Sequence, residues 1–197
     1  MNRPSFSRIN ISNDEINALP LHAFDGKVKV IQDKGELSNA FREISKHKVV
    51  GFDTETKPVF VKGQRHNVAL MQIAVPDQAF LIRVKFTGIT ADILSFLEDD
   101  QVFKAGVGVR DDIKALQVLK KFSPAGFVEL ADLARNAGLE VESVKKLTAL
   151  LLGFRISKSA QTSNWEAERL DTKQVSYAAT DAWVCLNIYK KLSGDLP

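Results

Sequence analysis

Residues 49–84 read VVGFDTETKPVFVKGQRHNVALMQIAVPDQAFLIRV, and the pattern of this segment is the strongest indication of the fold. Apolar runs at 49–53, 68–75 and 79–84 are typical of buried strands. Pro76-Asp77 separates the second run from the third and predicts a tight hairpin. Three consecutive strands of this kind predict an antiparallel meander. The first strand ends on two carboxylates, Asp53 and Glu55, which an apolar strand would not need for packing.

The chain on either side of this meander alternates between strand and helix patterns. Further strands are predicted at 28–31, 104–109 and 127–130. Helices are predicted at 16–19, 37–44, 93–97, 113–119, 131–136, 144–152 and 172–192. Because helical crossovers add parallel strands to a sheet, we expect an α/β fold with a mixed sheet of the ribonuclease H-like type. Helices should cover both of its faces.

The length of the chain and the lack of a linker segment indicate the domain organisation. The 197 residues suit one domain with one core, and no Gly/Ser/Pro-rich linker divides them. We expect the domain to occupy residues 28–197, preceded by an N-terminal extension at 1–27. Ser12 and Glu15 have capping-box spacing ahead of a short helix that Pro20 ends.

Composition sets only broad limits on function. Lys plus Arg exceed Asp plus Glu by 27 to 24, and a net charge of +3 indicates solubility as readily as a polyanionic partner. Cys185 is the only cysteine, so an internal disulfide is excluded and a reducing cytoplasm is expected. The first eight residues lack the apolar core of a signal peptide, and no apolar run is long enough to span a membrane. We therefore expect a cytoplasmic protein without a membrane partner.

Acidic residues occur at three separate places where elements begin or end. Asp53 and Glu55 lie two apart on a strand, so their side chains leave the same face. Asp111 and Asp112 follow a predicted strand and precede a helix. One of them is expected to cap the helix and the other to point toward the strand ends, but sequence chemistry does not choose between them.

The third place is a helix. Tyr177 and Asp181 lie four residues apart, so they share one helix face. The phenol would then be within reach of a water held near the carboxylate. Each motif also has a purely structural explanation: a polar strand end, a helix cap, or a core tyrosine beside a solvated aspartate. Several carboxylates in one cleft, however, require a cation between them, and hard oxygen ligands favour Mg²⁺ or Mn²⁺.

Taken together, F-D-T-E-T, G-x-G-x-x-x-D and Y-x-x-x-D, in this order, resemble the three exonuclease motifs of the DEDD superfamily. The tyrosine resembles its DEDDy branch, since the histidine branch would need a histidine where Ser176 stands. Within that branch the chain looks closest to the Werner-syndrome-type exonuclease domain and to stand-alone bacterial proteins related to ribonuclease D. The resemblance runs from about residue 28 to the C-terminus. It favours Asp112 over Asp111, because the family's acid stands six residues after the glycine at 106.

The resemblance also implies roles for individual residues. Asp53, Glu55, Asp112 and Asp181 would bind two Mg²⁺ or Mn²⁺ ions, and Tyr177 would orient the attacking water. One ion would lie at Asp53 and Asp181 and the second near Asp53, Glu55 and Asp112. An alternative role for Glu55 is to hold the 3′ hydroxyl of the terminal nucleotide. The implied function is a metal-dependent 3′-5′ exonuclease that acts on DNA and/or RNA ends.

A second family signature, K-S-x-Q-x-S-x-W, appears at 158–165. Its composition fits a loop that grips phosphate through Lys158 and Gln161, with Trp165 either stacking on a base or packed as an anchor. Leu70 and Met71 match the family as well, as contacts to a terminal nucleotide or as core residues. Cations in the loop after the first motif are candidate backbone contacts or a solvated basic loop: Lys57, Lys62 and Arg65.

Two other functions remain open at the sequence level. One is a catalytically idle nucleic-acid-binding module of the same fold, although the intact set of four acids and a tyrosine argues against decay. The other is an RNA-processing exoribonuclease, which the residues do not distinguish from a DNA exonuclease. The sequence does not identify protein partners, which stay unknown.

Overall fold

The computed structural model describes residues 6–61 and 63–194. Within these ranges the chain forms one six-stranded sheet whose strands are β1 (Lys27–Ile31), β2 (Val49–Thr56), β3 (Val68–Val75), β4 (Gln78–Ile82), β5 (Phe103–Gly106) and β6 (Phe127–Glu129). The eight α-helices of the same ranges are α1 (Asn13–Ala18), α2 (Leu37–Ile44), α3 (Val84–Thr87), α4 (Ala91–Leu97), α5 (Val109–Leu119), α6 (Leu130–Asn136), α7 (Val144–Leu152) and α8 (Thr172–Ser193). No described helix is both long enough and apolar enough to cross a membrane.

The sheet has the mixed topology that the sequence predicts. Its strand order is β1-β4-β3-β2-β5-β6. β2, β3 and β4 form the antiparallel meander, and the turn between β3 and β4 is the predicted Pro76-Asp77. β5 and β6 extend the sheet beside β2 in parallel, and β1 pairs in parallel with β4 at the opposite edge. The prediction of an α/β mixed sheet of the ribonuclease H-like type is confirmed.

Helices cover both faces because side chains of the central strands alternate between two cores. Phe52, Met71 and Ile73 belong to a core shared with α2, α4 and α5. On the other face, α8 lies across β2, β3 and β4, with α6 and α7 packed beside it. Burial of both faces explains why every residue of β3 is buried and why its sequence shows no clean polar alternation.

Small residues bring α8 unusually near the sheet. A Cβ built on Gly51 would lie 1.8 Å from the carbonyl oxygen of Ala182, so only glycine fits at this point of β2. Ala178 and Ala179 are fully buried on the same helix. The close approach matters for function because Asp53 lies two residues after Gly51 on the same face of the strand, directly beneath the helix that carries Asp181.

The start of α5 differs from the prediction. The predicted strand is present as β5, but it ends at Gly106 rather than at residue 109. The predicted cap by Asp111 or Asp112 is wrong, because α5 begins at Val109 with Gly108 as its N-cap residue in the left-handed region. The carboxylate of Glu129 caps this helix from the neighbouring strand, accepting from the amides of Gly108 at 2.9 Å and Val109 at 3.0 Å. A cap supplied by a residue 20 positions away leaves no local sequence signal.

The residues before β1 pack on the domain rather than standing apart. Ser12 and Glu15 form the predicted capping box at the start of α1. Ile11 and Ile16 are buried against Ala149 of α7. Residues before position 28 therefore pack against the domain that was predicted to begin there. The boundary between an N-terminal extension at 1–27 and a domain at 28–197 stays a prediction.

Candidate active site

Three carboxylates from two elements meet at the end of the sheet. Oxygen atoms of Asp53, Glu55 and Asp181 all lie within 4.8 Å of one another. Asp53 and Glu55 are half-buried at the end of β2, and Asp181 is buried on α8. Strand alternation places the first two on the face that α8 covers, and the glycine contact described above brings the third onto them.

Asp112 lies at the edge of this group. Its Oδ1 accepts a 2.5 Å hydrogen bond from the hydroxyl of Thr54, on the β2 face opposite to Asp53. Asp111, by contrast, is 88% exposed and forms an ion pair with Lys114 at 2.9 Å. The choice between the two aspartates, which sequence chemistry leaves open, is thus made by the direction of α5: Asp112 faces the strand and Asp111 faces solvent.

Burial and mutual repulsion make these carboxyl groups hard to ionise together. Burial raises the pKa of Asp53 well above its usual range, and the charges of Asp181, Asp112 and Glu55 raise it further. The pKa of Glu55 rises to about 8, chiefly by burial and then by Asp181 and Asp112. Burial also raises the pKa of Asp181 to about 7 and that of Asp112 to about 6. A positive charge placed among them would reverse these shifts.

Tyr177 lies one helical turn before Asp181 and faces the same cavity. A hydrogen bond with the Tyr177 hydroxyl partly offsets the rise in the pKa of Asp181. Burial, and then the charges of Asp181 and Glu55, raise the pKa of the phenol itself, so it stays protonated and able to donate. The predicted pairing of these two residues on one helix face is confirmed.

The carboxylates open into a cavity of about 340 Å³. Its wall is formed by Asp53, Thr54, Glu55, Val107, Ser143, Val144, Lys145, Ile156, Ser157, Lys158, Gln161, Tyr177 and Asp181. Lys158 and Gln161 therefore lie where the sequence places them, and the charge of Lys158 lowers the pKa of Asp181. Ser143 and Lys145, at the start of α7, were missed because that segment carries no motif and reaches the site only through packing.

Three of the predicted substrate contacts are core residues instead. Trp165 is fully buried and packs against Tyr177, with ring centroids 6.0 Å apart. It is therefore an anchor beneath the tyrosine, and the stacking interpretation is wrong for this structure. Leu70 and Met71 are also fully buried, and neither lines the cavity. Both belong to a strand that is covered on both faces, so neither side chain is accessible to a nucleotide in this structure.

The basic loop after β2 lies beside the cavity rather than in it. Arg65 and Lys57 line a neighbouring groove and not the carboxylate cavity. Lys57 lies 3.9 Å from the carboxylate of Glu166. Lys62, the third cation of the prediction, lies outside the described residues.

The donor set fits a divalent cation. Every candidate ligand at the cluster is a carboxylate oxygen, which Mg²⁺ and Mn²⁺ prefer and which zinc would normally share with histidine or cysteine. Asp181 Oδ1 is buried and has no hydrogen-bond partner among the described residues. A buried, unpaired carboxylate oxygen costs about 1 to 3 kcal/mol or more, and a bound ion would remove that cost.

Known proteins with similar sequences identify the family to which this chain belongs. A family model described as 3′-5′ exonuclease matches residues 28–197. The chain belongs to the 3′-5′ exonuclease family. Relatives of this exonuclease domain include the exonuclease 3′-5′ domain-containing protein 2 of Drosophila melanogaster, 37% identical over 153 residues, which cover 76% of this chain and 26% of that protein. The bifunctional 3′-5′ exonuclease/ATP-dependent helicase WRN of Mus musculus is 33% identical over 186 residues, covering 88% of this chain and 13% of the relative.

Solved structures of exonuclease domains share the fold. The EXO domain of Aedes aegypti Nibbler superimposes with a TM-score of 0.76 at 26% identity, covering 89% of this chain and 92% of that one. Escherichia coli RNase D gives a TM-score of 0.77 at 20% identity and covers 86% and 45%, a likeness of fold alone. The chain spans about a quarter or less of the length of the curated relatives named above.

Proposed function

We propose that the protein is a metal-dependent 3′-5′ exonuclease that removes nucleoside monophosphates from the 3′ end of DNA and/or RNA. The observation that carries the proposal is the meeting of Asp53, Glu55 and Asp181 within 4.8 Å beside a protonated Tyr177. Four acids that repel one another without a cation, in a chain of the 3′-5′ exonuclease family, support hydrolysis more strongly than a binding module that has lost activity.

Asp53, Glu55 and Asp181, with Asp112 beside them, would hold Mg²⁺ or Mn²⁺, two ions in our proposal. The ions, when bound, supply an activated water and neutralise charge on the leaving 3′ oxygen. The protein holds its carboxylates in place by packing: α8 is pinned over β2, and Thr54 fixes the rotamer of Asp112 by its hydrogen bond. Such fixed positions remove the need to reorganise charge during reaction.

The other groups of the cavity bind and orient substrate. Lys158 and Lys145 add two positive charges to the lining of the cavity that holds the carboxylates, and these charges would attract a phosphate. Glu55, at the last position of β2 that faces the cavity, is suited to accept a hydrogen bond from a terminal 3′ hydroxyl. That contact would require a free chain end and explain action from the 3′ terminus.

Replacing Tyr177 with phenylalanine is expected to lower kcat by roughly a hundredfold, the size of effect typical for a group that positions a proton or water. The packing against Trp165 is kept, and the hydroxyl alone is lost. Affinity for the substrate should change less than threefold. Tyr189, the other tyrosine, lies on the same helix and outside the cavity, so Tyr189→Phe is the matched control. Equal losses in kcat and affinity would mean that Tyr177 is structural.

Replacing Lys158 with glutamine should raise KM about tenfold, because one charge-assisted contact to phosphate is lost. Little change in kcat is expected, since the side chain is exposed and outside the carboxylate cluster. Lys120→Gln, at the far end of α5, removes an exposed lysine away from the cavity and should leave KM unchanged. Steady-state kinetics on one labelled oligonucleotide would test both. A fall in kcat at constant KM would contradict the assigned role.

Direct degradation assays test the proposed function. Purified protein would be incubated with Mg²⁺ or Mn²⁺ and with 5′-labelled single- and double-stranded DNA and RNA. A ladder that shortens from the 3′ end, is removed by EDTA and is blocked by a 3′ phosphate supports the proposal and ranks the substrates. Binding without shortening of any of these substrates would favour the idle module, and cleavage only of RNA would favour the exoribonuclease.

A further inference from the structure

A second concave surface begins where the catalytic residues end. We name it the loop–α5 groove, a depression of about 390 Å³ lined by Thr56, Lys57, Val59, Gln64, Arg65, His66, Asn67, Lys114, Ala115 and Val118. Thr56 directly follows Glu55, and Lys114 follows Asp112 by two residues. Both walls therefore continue segments that carry acids of the candidate site, so the groove begins next to that site in the chain.

The composition of the groove combines exposed apolar groups with cations. Val59 and Val118 are 45% and 73% exposed, and Phe60, next to Val59, is 84% exposed. Lys57, Arg65 and Lys114 supply positive charge, and no carboxylate is among the described residues that line the groove. Lys114 is paired with the exposed Asp111, and Lys57 lies 3.9 Å from Glu166. An exposed aromatic ring close in the chain to such cations is typical of surfaces that bind single-stranded nucleic acid, where bases stack on the ring and phosphates contact the cations.

Contacts to Glu166 hold the base of the loop, whereas Val59, Phe60 and Val61 are exposed. One carboxylate oxygen of Glu166 lies 3.2 Å from Nδ1 of His66, and the other lies 3.9 Å from Nζ of Lys57. These residues stand at the two ends of the loop that carries Phe60. The ring is therefore presented on a loop whose ends are tied to the body of the protein, and its exposure is not explained by packing.

The reach of the loop sets the part of a substrate that Phe60 can contact. Phe60 lies five positions after Glu55, so their Cα atoms are at most about 18 Å apart. A stacked strand advances about 3.4 Å per nucleotide, so Phe60 can meet only roughly the first five nucleotides beyond the scissile bond.

We propose that the loop–α5 groove binds the single-stranded chain immediately 5′ to the scissile bond, with Phe60 stacking on a base. This inference rests on the proposed exonuclease function, and it adds to that function the path of the substrate and a residue that positions it. A single strand is favoured over a duplex, because an exposed ring has a free base face to stack on only where the bases are unpaired.

Two substrates distinguish binding in the loop–α5 groove from hydrolysis at the carboxylates. The p-nitrophenyl ester of thymidine 5′-monophosphate carries one nucleotide and no upstream chain, so Phe60→Ala should hydrolyse it like the unmodified protein. On a ten-nucleotide single strand the same variant should lose about tenfold in kcat/KM, mostly through KM. Phe60→Trp should retain the activity, since it preserves an aromatic face. Phe103→Ala removes a 42% exposed ring at the opposite end of the sheet and is the matched control.

Binding in EDTA keeps this test independent of hydrolysis. Fluorescence anisotropy with labelled strands of two, four, six and ten nucleotides should show affinity that rises up to about six nucleotides, and Phe60→Ala should abolish the rise. If the unmodified protein hydrolyses neither substrate with Mg²⁺ or Mn²⁺, the proposed function fails, while the binding series still decides the groove. Equal affinity of Phe60→Ala and the unmodified protein for every length would overturn the inference, as would an equal loss on the p-nitrophenyl ester.

Discussion

Replacing Asp53 with alanine is expected to abolish hydrolysis, with a loss of roughly a thousandfold or more, while the fold remains intact. Asp53 is the carboxylate on which the charges of Asp181, Asp112 and Glu55 all act, so it lies at the centre of the group that would hold metal. Metal ions contribute several kcal/mol to stabilising the transition state, and about 4 kcal/mol corresponds to a thousandfold in rate. Degradation of a 5′-labelled oligonucleotide in Mg²⁺ and in Mn²⁺ measures the loss.

A matched pair on α5 controls this experiment. Asp112→Ala should impair activity, whereas Asp111→Ala should not, because the side chain of Asp111 is 88% exposed and faces Lys114. Circular dichroism of all three variants would show that the fold is kept. Undiminished metal-dependent degradation by Asp53→Ala would overturn the assignment of the site. Equal losses in Asp111→Ala and Asp112→Ala would mean that damage to the helix start, and not a lost carboxylate, reduces activity.

Metal removal should destabilise the protein, and increasingly so at higher pH. A carboxyl group with a raised pKa keeps its proton in the folded state at a pH where the unfolded chain has lost it. The folded state then binds more protons, so the free energy of unfolding contributed by the cluster falls as the pH rises. The fall extends from the ordinary carboxyl range near pH 4 through the raised values of about 6 for Asp112, 7 for Asp181 and 8 for Glu55.

Thermal unfolding measures both parts of this prediction. In EDTA, Asp53→Asn should gain Tm relative to the unmodified protein, and the gain should grow between pH 5 and pH 8 because one repelling charge is absent. At pH 8 a Mg²⁺ concentration 100-fold above Kd should raise the Tm of the unmodified protein by roughly 5 to 10 °C, and that of Asp53→Asn by less. A difference between the two proteins that is independent of pH, together with no response to Mg²⁺, would contradict the ion-binding role.

Much of the fold follows from local patterns. The middle strand of the meander, the Pro76-Asp77 turn and the helices over 37–44 and 144–152 coincide with their predicted ranges, because burial on one or both faces leaves a regular apolar spacing. The outer strands are present with shifted ends: β2 continues beyond residue 53 to Thr56, and β4 ends at Ile82 rather than at residue 84. The start of α5 was predicted wrongly because its cap comes from Glu129, on a strand 20 residues later. The spacing of apolar residues indicates which face of a segment is buried. It does not indicate where a helix begins when the capping residue lies on another strand.

The residues of the candidate site also divide into those that local sequence patterns indicate and those that only tertiary packing brings to the cavity. Residue type and spacing indicated Asp53, Glu55, Tyr177 and Asp181, since carboxylates at the ends of apolar elements are unusual and a helix of period 3.6 aligns positions four apart. Spacing did not reveal that Trp165 is buried under Tyr177, because an aromatic residue in a polar loop has the same composition whether it packs or stacks. Nor did it reveal Ser143 and Lys145, which reach the cavity only through the packing of α7.

Residue types and their spacing indicated the candidate residues and the elements that bear them, because both are properties of neighbouring positions along the chain. Which of these side chains meet depends on tertiary packing. The absence of a Cβ at Gly51 lets α8 descend onto β2, and that contact brings Asp181 to Asp53 across some 130 residues of chain. The direction of α5 selected Asp112 over Asp111. Such distances depend on how whole elements pack against one another, which no local pattern of residues records.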